Sequence, residues 1–151
     1  MSDIHYELLK LKLFQQKSLV RLWKIMLVDF MKFEPNSSII PNELQMEVEN
    51  REYDISSIVY AYFLKYLCHH HLNIVKLRQD CFHTLQLVIA ENYCVEGEME
   101  FKFVAYNILG IALQMSGDHE AAQQAFMQSV EICSDHRINT SMKRLSLMSS
   151  L

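Results

Sequence analysis

The 151-residue chain holds only three glycines and two prolines. An all-β domain of this length needs many turn residues, so their scarcity excludes one and favours long helices with short connections. No secretory pattern opens the chain: Met-Ser-Asp is not a basic stretch leading into an apolar one. Four cysteines (Cys68, Cys81, Cys94 and Cys133) show no C-x-x-C spacing and read as small core fillers, reduced in the cytoplasm, with the nucleus as the alternative. No Lys/Arg block is present and the net charge is −4, so the electrostatic footprint of a nucleic-acid binder is missing. Nor is there a run of about 20 apolar residues, the length a membrane span requires. The most apolar stretch, LVRLWKIMLVDFMKF at 19–33, is interrupted by Arg21, Lys24, Asp29 and Lys32 and reads as a buried helix. G-x-S-x-G, the P-loop and G-x-G-x-x-G are all absent, which removes the commonest signatures of an enzyme.

What is there is half hydrophobic, too apolar for a disordered chain and long enough for a single domain with its own core. The spacing predicts an N-terminal helix within 1–33, where Leu8, Leu11, Leu19, Leu22, Trp23, Met26, Phe30 and Phe33 recur at intervals of three and four. Both prolines fall in EPNSSIIPN, 34–42, which opens a loop and acidic connection running to 53. Residues 43–53 read as a linker or a short exposed helix. Asp54 is placed as the cap of a helical hairpin over 54–95, with Asn73 at its turn. A second hairpin occupies 98–134, and a short polar helix 137–149. The last helix carries no stop signal, the pattern expected of one piece of a larger array. Charge is uneven: residues 1–33 carry six Lys/Arg against three acids, and 34–54 six acids against one arginine. Solvated helix faces account for this, and a patch that steers a partner is the alternative.

The side chains that invite a catalytic or metal reading have simpler explanations. Three consecutive histidines, 69–71, lie near Cys68, Cys81 and His83. Consecutive helical residues diverge by about 100° and cannot converge tetrahedrally on zinc, so no metal or other cofactor is expected. Histidines at a helix end also complement its dipole. Glu96, Glu98 and Glu100 suit a helix start for the same reason, and Asp135-His136 has no nucleophile beside it. The chain is expected not to be an enzyme.

One stretch, YNILGIALQMSGDHEAAQQAF at 106–126, is organised differently. Tyr106, Leu109, Gly110 and Leu113 are followed by Gly117-Asp118, then by Ala122 and Phe126 with A-x-x-x-F spacing. Residues 103–134 thereby resemble a tetratricopeptide repeat, a helix–turn–helix unit of about 34 residues. The resemblance departs at Leu113, where tyrosine is usual, at Ser129, where a small alanine is, and at Ser134, where proline is. It implies close helix packing where Gly110 faces Ala122, with Tyr106, Leu109, Leu113 and Phe126 filling the space around, Gly117 making the turn and Asp118 capping the second helix. A divergent unit over about 58–92 is expected beside it. There Ala61 and Leu64 stand at the first two key places, Lys65 replaces glycine, and Leu77 and Cys81 replace alanine and phenylalanine.

The fold class expected is all-α: antiparallel helical hairpins stacked as a short tetratricopeptide-like α-solenoid, with the N-terminal helix packed on or capping it. The resemblance implies a non-enzymatic protein–protein interaction module, a scaffold or adaptor. It would bind an apolar peptide or a partner helix in a groove lined by Val59, Tyr62, Tyr66, His69 and His70 of the divergent unit and Val104, Asn107, Ile111, Gln114 and Met115 of the matched repeat. Asn107 stands without a basic neighbour, and Ile111 takes a place where asparagine is needed, which argues against a clamp for chaperone tails. The alternative function is a structural subunit of an obligate helical complex or a homodimer, since one clear repeat leaves apolar ends uncovered.

Overall fold

The computed structural model describes residues 30–90 and 99–150, with side chains in the second segment from residue 102 onward. In chain order the elements are strand β1 (Phe30–Phe33), a 3-10 helix (Asn42–Val48), strand β2 (Tyr53–Ser56), and helices α1 (Ser57–His71), α2 (Val75–Ala90), α3 (Met99–Ser116), α4 (His119–Ile132) and α5 (Ser141–Ser149). The protein is mostly helical, its helices packed in pairs, with one small two-stranded sheet. α1 pairs with α2, and α3 with α4. α3 also meets α1, α2 and β2, and α5 packs on α4. No described helix is long and apolar enough to cross a membrane.

Most of the helix expected over 1–33 lies outside the described residues, but its last four residues are strand. Phe30–Phe33 runs antiparallel to Tyr53–Ser56, with Met31 opposite Ile55 and Phe33 opposite Tyr53. FMKF satisfies a period of two as well as a helical period. Lys32 faces out to Glu52 at 2.6 Å, while Phe33, Tyr53 and Ile55 are buried and the Phe33 ring meets that of Tyr60 edge-on at 5.3 Å. Pairing with a strand too distant for any local pattern to show settles the choice. Asp54 consequently sits inside β2 rather than capping a helix, and Ser56 holds the N-cap position of α1.

The 34–53 connection is not an exposed linker. Its 3-10 helix buries Leu44, Glu47 and Val48. Asn36 and Asn50 take positive φ values of 58° and 63°, and the Asn36 N–H donates to the Val48 carbonyl at 2.7 Å. The last helix begins at Ser141, later than 137, because Asn139 and Thr140 turn their side chains into the core instead of continuing the helix.

The two hairpins share one turn. Asn73 and Gly117 are the left-handed residues, with φ of 58° and 85°. The Asn73 N–H donates to the His70 carbonyl and the Ile74 N–H to His69. In the second hairpin the Gly117 N–H donates to Gln114 and the Asp118 N–H to Leu113. Superposing Asn73 on Gly117 corrects the register expected for the first hairpin by one residue. Tyr62, Tyr66, Arg78 and Phe82 then stand where the second hairpin has Tyr106, Gly110, Ala122 and Phe126.

That difference governs the packing of each pair. At α3–α4 the edge of the Phe126 ring lies where a Cβ on Gly110 would be, 2.5 Å from Cε1, so Phe126 fills the space beside Gly110. Phe126 and Ala122 are both fully buried. At α1–α2 the equivalent glycine place holds Tyr66, fully buried, and Phe82 is displaced to a half-buried position with its ring centroid 6.4 Å from that of Tyr66. α4 is started by Asp118, whose carboxylate accepts the Ala121 N–H at 3.1 Å. Asp118→Ala should cost about 1 kcal/mol of stability in urea titration, the usual worth of such a cap.

Candidate functional site

Three features compete for a functional role: the face expected to be a groove, a buried polar network beneath it, and a cavity on α2.

The groove set divides. Val59, Tyr66, Val104, Asn107 and Ile111 are buried in the chain's own core, while Tyr62, His69, His70, Gln114 and Met115 are half-buried. The face of α3 assigned to a partner is covered from within the chain. β2 packs on α3, and the Asn107 amide donates to Thr140 Oγ1 at 3.0 Å, just ahead of α5. Of the residues expected to define the repeat, Leu113 and Gly110 are buried beside Ala122 and Phe126. Tyr106 and Leu109 are half-buried against the core, and Gly117 is exposed at the turn.

Beneath that face lies the polar network. Glu47, 1% exposed, accepts from Thr140 Oγ1 at 2.6 and 2.7 Å. It pairs with Arg144 at 2.8 Å and with Arg51 at 3.2 Å. Arg51 also donates to the Arg137 carbonyl, and Arg144 to that of Glu43. Asn139 bonds the backbone carbonyls of Ser129 and Cys133, and Ser129 donates to the Phe103 carbonyl at 2.8 Å. The C-terminal segment is therefore stitched both to residues 43–51 and to the α3–α4 hairpin. The acidic run of 34–54 is largely consumed within the chain: Glu43 by His71, Glu47 as described, Glu49 by Lys143 and Glu52 by Lys32.

Tyr53 lies close to this network. Burial pushes its hydroxyl well above the ordinary tyrosine range; the Glu47 carboxylate adds to the shift, and Arg144 and Arg51 oppose it. An unfolded tyrosine ionises near pH about 10, where folded Tyr53 keeps its proton. Raising the pH through that value therefore favours the unfolded chain, and stability falls. Tyr53→Phe should flatten the decline in urea midpoint between pH about 9 and about 11. It should cost little at neutral pH, because the Tyr53 Oη is buried and finds no hydrogen-bond partner among the described residues.

The cavity, of about 260 Å³, opens between α2 and the α3–α4 turn. Arg78, Gln79, Phe82 and His83 line it from α2, Leu113 and Ser116 from α3, and Asp118 from the α3–α4 turn. Its inner wall is held by Tyr66, whose O–H donates to the Ala112 carbonyl at 2.9 Å and whose oxygen lies 2.7 Å from Ser116 Oγ. The His70 ring stacks on Tyr66 at 5.8 Å. Its pKa is lowered by burial first, then by the charges of Arg78 and His71. Arg51, Arg137 and Arg144 each pair with a carboxylate, whereas half-buried Arg78 has no such partner among the described residues. Sequence reading did not single out Arg78, Phe82 or Ser116. Aligning the two turns on Asn73 and Gly117 would have drawn attention to the first two, as the large residues standing where the second hairpin has Ala122 and a fully buried ring. Among the described residues no three or more His, Cys, Asp or Glu side chains are arranged to hold a metal ion.

The geometry defines a mostly helical protein of packed helical hairpins with a partly enclosed, mixed-polarity cavity. No protein-family model, curated protein or solved structure matches the chain. The tetratricopeptide resemblance accordingly rests on the residues of 103–134 themselves.

Proposed function

We propose that the chain is a non-enzymatic protein-interaction module, a scaffold or adaptor of tetratricopeptide-like hairpins that binds an apolar peptide or helix of a protein partner. The observation that carries this reading is the common turn of the two hairpins, with matching hydrogen bonds at Asn73 and Gly117, since stacked hairpins of one design are the architecture of helical repeat proteins that present a surface to partners. The face expected to be the groove is lined by the chain's own segments, so contact is assigned to the exposed start of α2. There Leu72, Ile74, Val75 and Leu77 stand in solvent, Val75 at 50% exposure and Leu77 at 43%, next to the cavity. Three described cysteines, Cys68, Cys81 and Cys133, are free thiols, which supports a cytoplasmic location.

The test is affinity capture from cells with quantitative mass spectrometry, comparing the wild type with Val75→Glu plus Leu77→Glu. Both positions are exposed, so the melting temperature should hold while at least one abundant partner is lost. Capture unchanged by the double variant would refute this docking surface.

A second reading, a subunit of an obligate complex or homodimer, is favoured by a separate set of exposed apolar residues: Met127, Ile132, Ile138, Met142 and Leu147 on α4, α5 and their connection. Mass measurement across a concentration series separates the two readings. A monomer at low micromolar concentration counts against obligate self-assembly.

A further inference from the structure

The cavity on α2 arises from a difference between two otherwise corresponding hairpins. Where α3–α4 close over Gly110, Ala122 and Phe126, α1–α2 carry Tyr66, Arg78 and Phe82. Tyr66 fills the place left free by glycine, Phe82 cannot enter, and its ring becomes part of the cavity wall beside Leu113. Arg78 stands where a buried alanine would seal the pair. The result is a cavity of mixed polarity in which Phe82 and Leu113 are the apolar lining and Arg78 is the one described arginine without a carboxylate partner.

We propose that this cavity is the anchoring subsite for an acidic–apolar peptide. One apolar side chain of the peptide enters between Phe82 and Leu113, and the carboxylate of an adjacent residue meets Arg78. The inference rests on the interaction-module reading and names the chemistry of its partner. Size favours a peptide over a free metabolite. At about 260 Å³ the cavity is smaller than the roughly 300–1,000 Å³ of sites that enclose whole small ligands. Ile74 and Val75, both exposed, stand one helical turn before Arg78 and Gln79, where a longer ligand would continue. Polarity sets the direction. Asp118, which lines the cavity from the α3–α4 turn, is committed to capping α4 and repels a carboxylate there, while Ser116 Oγ is engaged by the Ala112 carbonyl and Tyr66. The acidic group is thereby placed on the α2 side.

The test uses NMR titration of the isotope-labelled full chain with three probes. These are a blocked hexapeptide carrying one leucine followed by one glutamate in a glycine–serine background, its glutamine analogue, and N-acetyl-leucine. The glutamate peptide should shift the Arg78 side-chain, Phe82 ring and Leu113 methyl resonances. The glutamine analogue should bind about fivefold more weakly, the worth of a partly exposed charge pair of about 1 kcal/mol. Arg78→Gln should abolish that difference, and Lys76→Gln, also on α2, should preserve it. Equal affinity for the two peptides, shifts confined to other residues, or no shifts at all would overturn the proposal. N-acetyl-leucine binding as tightly as the peptide would overturn the peptide assignment. If the cavity stays silent while the Val75 and Leu77 variant still loses its cellular partner, this proposal falls and the interaction-module reading stands.

Discussion

Glu47→Leu should lower the free energy of unfolding by about 3–5 kcal/mol, the cost of removing one partner from a buried charge network. The carboxylate is 1% exposed, and it accepts from Thr140 and pairs with both Arg144 and Arg51. Its loss leaves two poorly solvated guanidinium groups and a hydroxyl without their acceptor. Small domains have only about 5–15 kcal/mol in total, so this one change should bring the chain close to the unfolding threshold. Urea titration followed by circular dichroism gives the value. Glu49→Gln is the control: its pair with Lys143 is exposed on both sides and should contribute less than about 1 kcal/mol. Adding Arg144→Met to Glu47→Leu should recover part of the loss, because the deficit comes from uncompensated charge and not from lost attraction alone. If Glu47→Leu costs no more than Glu49→Gln, the network is not what holds the C-terminal segment down.

The second large effect reverses a rule of thumb. Glycine to alanine inside a helix normally stabilises by about 1 kcal/mol. At Gly110 the new Cβ would lie 2.5, 2.6 and 2.8 Å from three carbons of the Phe126 ring. Phe126 is fully buried and has nowhere to move without repacking α3 against α4. Gly110→Ala should therefore destabilise by about 1–3 kcal/mol through overpacking, and Gly110→Leu by more. The diagnostic is coupling. In a Phe126→Leu background the clash is relieved, and Gly110→Ala should become neutral or stabilising, giving a strongly non-additive double-mutant cycle. Additive effects would mean the two residues do not share the contact.

Local pattern served well where an element's partner is its neighbour in sequence. The helices around Asn73 and Gly117, the Gly117 turn and the Asp118 cap all follow from spacing and turn chemistry within some thirty residues. It failed where the partner is distant. Phe30–Phe33 fits a helical face as readily as a strand, and only Tyr53–Ser56 across the sheet decides between them. The 43–53 stretch looks exposed because it is acidic, yet Glu47 is buried once Arg144 and Thr140 arrive from almost the other end of the chain. Asn107, Val104 and Ile111 lie on the side of α3 where a groove was expected, but that side is already covered by β2 and the segment leading into α5. The first hairpin is shifted by one residue from the expected register because its left-handed residue, Asn73, corresponds to Gly117 and not to the capping Asp118. Aligning φ instead of residue type reveals Arg78 and Phe82.

By itself, then, the sequence determined a helical protein built from tight hairpins, because period, caps and left-handed turn residues act over a few residues and are written locally. The tertiary structure alone decided that the N-terminal apolar run ends in a strand, that the acidic connection is a buried anchor, and that Val104, Asn107 and Ile111 of α3 are buried while Val75 and Leu77 of α2 are exposed. Those outcomes depend on which distant side chains meet, and on whether a glycine or a tyrosine stands where two helices cross.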